Sequence, residues 1–283
     1  MLRILIILLF VFVVDINDIY GQQAIKVADK EVVDLRFEVD AIEFLLILDL
    51  EKNQKEILKK LVVEKIDFEI LDIPKYTEEY LKKLRNVRNA LLEDNEELAD
   101  NLRLELDDIV EKNMIEVDYV YEVNESSRRN AKDFLKLLRI DQLSSLISFN
   151  SDEFQPPLRA LMDAVREFPD LAKDEKQDSY DEILEVVVIS LAGVDIEKEK
   201  KIRKEVELFL DDVLKLPPLK EDAKVKEKQA QNRPFVERAK NIVGGIGVME
   251  ILQNNVEYLL AKQLSNPQFA NALSKISKKW ICF

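Results

Sequence analysis

Apolar residues recur along most of this chain at the i, i+3, i+4, i+7 spacing of a helix face. Val32, Leu35, Val39, Ile42, Leu45 and Leu46 mark a first helix over residues 24–50, whose turn 44–48 is apolar almost all round. A second helix follows over 51–72, carried by Ile57, Leu58, Leu61, Val62, Ile66, Phe68, Ile70 and Leu71 and stopped ahead of Pro74. From Tyr80 the same spacing continues through Leu84, Leu91, Leu98, Leu102 and Ile109, after an N-cap at Thr77. No glycine or proline interrupts the chain between Pro74 and Pro156, so this stretch must hold at least two long helices, with a break near Asn95 or Asn124. Residues 115–123 alternate like a strand but also fit the helical spacing. With no hairpin partner nearby, helix is the expectation.

The pattern beyond is more broken. Ala131, Phe134, Leu135, Leu138, Leu143 and Leu146 line another helix, and Pro156-Pro157 then marks a boundary. Three helical segments follow: 158–168, then 179–191 closed by Gly193 as C-cap, then 196–216 capped by Asp195. Residues 219–233 are charged and aromatic-free, a linker or a solvated helix. Residues 234–283 hold six basic and three acidic residues, which suits docking on an otherwise acidic body. Gly244-Gly245-Ile246-Gly247 lacks the third glycine and the preceding strand of a dinucleotide loop, and reads as close helix packing or a hinge.

Composition narrows the chemistry. The chain has 283 residues, no histidine, one cysteine, five glycines and a formal charge of −14. Without histidine there is no Ser-His-Asp triad, no Cys-His pair and no His-ligated zinc or di-iron site. So few glycines fit poorly with doubly wound sheets, barrels or sandwiches, and the acidic balance argues against nucleic acid. Adjacent carboxylates such as Glu96-Glu97, Asp107-Asp108 and Asp211-Asp212 do not face each other on a helix. No cofactor is implied.

The first residues read as an address. Arg3 precedes eleven unbroken apolar residues, Ile4 to Val14, within the length of a signal-peptide core and short of the ~20 that a spanning helix needs. Cleavage is expected near Gly21, giving a periplasmic or extracellular chain with no transmembrane span. In such a compartment Cys282 is a candidate intermolecular thiol.

Leu50-Glu51-Lys52-Asn53-Gln54 and Leu138-Arg139-Ile140-Asp141-Gln142 share a Leu-x-x-x-Gln spacing. Over roughly residues 40–150 the chain resembles the Spy/CpxP-like exported helical proteins, which carry paired Leu-Thr-x-x-Gln motifs separated by long charged helices. The threonine is replaced by Glu51 in one copy and Arg139 in the other. The resemblance implies a curved helical cradle that holds unfolded clients or senses envelope stress, with Leu50, Gln54, Leu138 and Gln142 as motif residues.

The expected fold is therefore all-α: long antiparallel helices, as one bundle or two helical subdomains. Its parts are a signal peptide (1–21), a long-helix region (22–155), a second helical region (156–218), a charged connection (219–233) and a basic helical end (234–283). The leading functional expectation is an exported, non-enzymatic, chaperone-like binding protein whose partners are protein clients or envelope proteins. The alternatives are an envelope assembly protein that self-associates through the basic tail and Cys282, and an enzyme using carboxylates or a divalent metal.

Overall fold

The computed structural model describes residues 30–62, 69–70, 78–113, 119–120, 123–149, 156–217 and 225–279. The leader with its cleavage near Gly21, Thr77, Pro74 and Cys282 lie outside the described residues. The fold is all-α. The helices are α1 (30–48), α2 (Lys52–Leu61), α3 (Glu78–Leu92), α4 (Glu96–Asn113), α5 (Glu125–Leu135) and α6 (Ile140–Phe149). They continue with α7 (Pro157–Glu167), α8 (Lys173–Ala192), α9 (Ile196–Leu214), α10 (Val225–Val243), α11 (Val248–Leu264) and α12 (Phe269–Lys279). Residues 225–233, left open between a linker and a solvated helix, form the start of α10. Among the described residues no helix is long and apolar enough to cross a membrane.

The expected break points are real, and their chemistry is visible. Asp94 takes a left-handed φ of +63°, and Asn95 Oδ1 accepts from Leu98 N–H (3.2 Å) to start α4. Asn124 Oδ1 accepts from Ser127 N–H (2.8 Å) to start α5. Both satisfy N–H groups that the first turn of a helix leaves unpaired.

Three expectations fail: the helix over 51–72 ends at Leu61 and Glu69–Ile70 is a strand, the helix through Ala131 to Leu146 is two helices, α5 and α6, and within 115–123 a strand replaces helix. Tyr119–Val120 (β2) pairs antiparallel with Glu69–Ile70 (β1), in the register Glu69↔Val120 and Ile70↔Tyr119. At Tyr119–Val120 the alternation marked a strand. Its partner lies some fifty residues upstream rather than across a tight hairpin, so no turn chemistry announced it.

The chain forms two compact units, and neither ends at Pro156-Pro157. The first contains residues up to Leu46, then Leu50–Glu122 and Ser265–Phe283. The second contains Ile47–Asp49 and Val123–Leu264. The basic end, expected as one segment over 234–283, is thus divided: α10 and α11 belong to the second unit and α12 to the first.

Within the first unit α12 turns Phe269, Ala272, Leu273 and Ile276 inward at helical spacing. Phe269 meets Phe44 of α1, ring centroids 6.2 Å apart. Polar contacts hold the same join: Asn266 Nδ2 donates to Phe37 O (2.9 Å), and Gln268 Nε2 donates to Asp34 Oδ1 (3.1 Å). Lys275 pairs with Glu38, a buried carboxylate that Arg88 of α3 also approaches at 3.8 Å. The basic end therefore docks on acidic groups of its own chain. Against α4, Arg103 holds Glu43 Oε1 through Nε (2.9 Å) and Nη2 (2.7 Å). Burial nonetheless raises the Glu43 pKa above its usual 4.5, because loss of water outweighs the arginine.

The second unit packs α7, α8, α9 and α10 around Leu161, Val165, Val188, Val206, Phe209 and Leu210. Phe235 of α10 meets Phe209 edge-on at 5.9 Å, and Arg238 lies over both rings while bonding Asp212 (2.9 Å). α11 packs against α5 and α8. The boundary at Pro156-Pro157 does not divide units because each side already has its neighbours here: α7 on α8 and α10, α5 and α6 on α11.

Glycine works differently at its two main sites. Gly193 ends α8 at φ +58°, with its N–H on Ile189 O (2.8 Å). A Cβ there would stand 2.9–3.1 Å from Asn254. Around Gly245 and Gly247 a Cβ would meet nothing within 4 Å, so close helix packing does not explain that run.

Gly193→Ala is therefore expected to lower unfolding stability by about 1–3 kcal/mol, through left-handed strain and the Asn254 contact. Gly247→Ala should be neutral or mildly stabilising. Urea unfolding of both variants checks this. A second expectation concerns pH. Because burial raises the Glu43 pKa, its favourable contribution is complete below pH 4.5 and is lost as pH rises through the raised value. The stability of the native chain relative to Glu43→Gln should thus fall between acid and neutral pH, measured by urea midpoints at each pH.

Candidate functional site

The motif glutamines are the first residues to place. Leu50 and Gln54 lie in the first unit, Leu138 and Gln142 in the second. Leu50 and both glutamines are buried, and Leu138 is half-buried. The two glutamines do the same local job. Gln54 Oε1 accepts from Glu51 N–H (2.9 Å) at the start of α2, and Gln142 Oε1 accepts from Arg139 N–H (2.9 Å) at the start of α6. This is the reach-back half of a capping box. Threonine is not needed for that half, so its replacement by Glu51 and Arg139 leaves the glutamine function intact. Gln142 does more: its Nε2 donates to Leu48 O (2.8 Å) and Asp49 O (3.2 Å), satisfying carbonyls at the end of α1. The two motif glutamines are thus buried and bonded to backbone groups.

What Gln142 positions is exposed. α6 reads IDQLSSLISF, and Asp141 is its one charged residue, in a chain that is 35% charged. Arg139 holds Asp141 at 2.8 Å and lowers its pKa. On the outward side Ile140 is 86% exposed and Phe149 44%, with Leu137 at 37% just ahead of the helix. Between Phe149 and Ile47 of α1 lies a shallow depression of about 520 Å³, floored by Ser144, Ser145 and Ser148. Ser145 Oγ is already committed to Asp141 O (3.1 Å), so the serines offer a small, weakly polar surface. Asp141 completes the lining, so the face carries one charge, paired with Arg139, beside the serines and Phe149.

A second concavity, about 390 Å³, lies between the first turns of α5 and the start of α9. Three of its cations are matched by acids. Arg128 pairs with Glu199, Arg129 with Glu125 (3.3 Å) and Lys200 with Glu197 (3.0 Å). Arg128 also lies 5.9 Å over the Tyr258 ring, and Glu199 continues to Arg203, which forks onto Glu185 at 2.6 and 3.2 Å. This network ties α5, α8, α9 and α11 together. Elsewhere Tyr180 donates to Asp211 (3.2 Å), and burial with that carboxylate pushes its hydroxyl up to about 12. Among the described residues no three Cys, Asp or Glu side chains converge as a metal site.

Comparison with family models, with curated proteins and with solved structures returns no match, so the site is read from its own geometry. Sequence reasoning singled out the glutamines and passed over the α6 surface. The signal was there: ten residues with a single charge and three serines. Helical spacing alone does not say which apolar residues of such a helix face outward.

Gln142→Ala should cost about 1–3 kcal/mol, because it strands the Arg139 N–H and the Leu48 carbonyl together. Its partner α6 should show faster amide exchange than α8 in the same variant. Unchanged stability and exchange would remove Gln142 from this role.

Proposed function

We propose that the chain is an exported, non-catalytic helical binding protein that holds an apolar segment of a protein partner on the exposed, sparsely charged face of α6. The supporting observation is a group of exposed apolar side chains in and just ahead of α6: Phe149 lines a depression with Ile47, Asp141 and three serines, and Ile140 and Leu137 are exposed at the other end of the helix. Apolar side chains that stay exposed beside a concavity favour a partner more than a solvent contact does. The surrounding acidic chain, at −14, keeps such a complex soluble. The export part rests on the apolar run Ile4 to Val14 behind Arg3, and the client-holding part on the resemblance carried by Leu50, Gln54, Leu138 and Gln142.

The test is suppression of aggregation of a denatured client at stoichiometric ratio and without ATP. The native chain should suppress it. Ile140→Asp with Phe149→Asp should weaken client binding about tenfold or more, the loss of roughly 1.4 kcal/mol expected of an interface side chain. Their melting temperatures should stay near native, since both side chains already face water. A native chain that leaves aggregation unchanged would sink the proposal, and so would a double variant that protects as well as the native one.

A further inference from the structure

Asn124-Glu125-Ser126 is the single Asn-X-Ser/Thr triplet, with X other than proline, in the whole chain. Such a triplet is an acceptor for N-linked sugar when it is presented at the surface of an exported protein. The structure puts it at the entrance to α5. Asn124 is the N-cap, in extended backbone with φ −70° and ψ 158°, and Glu125 at the first helical position is exposed. Asn124 and Ser126 are half-buried, whereas Ser127, one residue further on, is fully enclosed. The triplet thus ends where the core face of the helix begins.

The capping chemistry is compatible with a sugar. Ser127 N–H bonds the Oδ1 of Asn124, not its nitrogen. A substituent on Nδ2 leaves that oxygen in place and leaves one of the two amide protons as a donor. We propose that Asn124 carries an N-linked glycan in the exported protein, an inference that rests on the export reading above. The transfer forms a bond from Asn124 Nδ2 to the anomeric carbon of an oligosaccharide. It breaks that carbon's bond to the pyrophosphate of a lipid-linked donor, and one amide proton leaves with the lipid pyrophosphate. The glycan then stands beside Glu125, at the rim of the charged concavity between α5 and α9.

The test uses the full chain in cells with an endoplasmic reticulum, once with its own first residues in front and once behind an added, established secretory leader. The expected result is a slower gel band that peptide-N-glycosidase collapses, with aspartate found at position 124 in the peptide map afterwards. Ser126→Ala should abolish the band while keeping the Asn124 cap. Glu125→Pro should abolish it too, because proline blocks the acceptor yet suits the first position of a helix. Ser126→Thr should retain it. A chain with the added leader, recovered from the secretory pathway with no sugar on Asn124, overturns the site. If that chain is glycosylated while the native leader leaves its product unmodified inside the cell, the site stands and the export reading falls.

Discussion

The first turn of every helix leaves backbone N–H groups without intrahelical partners, and a chain with five glycines has few permissive residues with which to turn between helices. Most of this structure depends on how that constraint is met. Asn95, Asn124 and Asp195 accept from the N–H three residues on, at 3.2, 2.8 and 3.0 Å. Gln54, Gln142 and Glu175 work in the other direction, reaching back to the residue ahead of the helix at 2.9, 2.9 and 3.0 Å. Asp49 and Asp94 take left-handed φ values of +40° and +63° where glycine would ordinarily be used. Polar side chains thus supply both the caps and the corners, which is one physical use for the high polar content.

That economy accounts for the local work of the two motif glutamines. The Leu-x-x-x-Gln pairs set the entry of α2 and α6, and the second pair also closes the end of α1 through Gln142. Their chemical consequence is indirect. By fixing α6 they fix the orientation of Ile140 and Phe149, the exposed side chains on which the binding proposal rests. An amide suits this role, since it accepts from one backbone group and donates to another while buried without charge.

Charge is handled locally. In the second unit, acids and bases alternate into a chain running from Arg128 through Glu199 and Arg203 to Glu185. In the first, Glu38 is met by Lys275 and approached by Arg88, while Glu43 is met by Arg103 at a net desolvation cost. These pairs order helices relative to their neighbours more than they add stability, since partly exposed ion pairs contribute little on their own. α6 stands out against this background because Asp141, paired with Arg139, is its one charged residue.

The sequence by itself determined the all-α class, the positions of most helices and many of their ends. Those properties are local: a stripe repeats every 3.6 residues, and Gly193, Asp195 and Asn124 act on groups within a turn of themselves. The tertiary structure decided what depends on residues far apart in the chain. It paired Tyr119–Val120 with Glu69–Ile70, parted the chain at 122/123 and 264/265 instead of at Pro156-Pro157, and sent α12 to pack on α1. It also decided that Gln142 is enclosed while Ile140, two residues earlier, is bare. A periodic pattern says that a helix has a buried face. Which neighbour covers that face, and which apolar residue is left over, is set by the competition of all faces for partners.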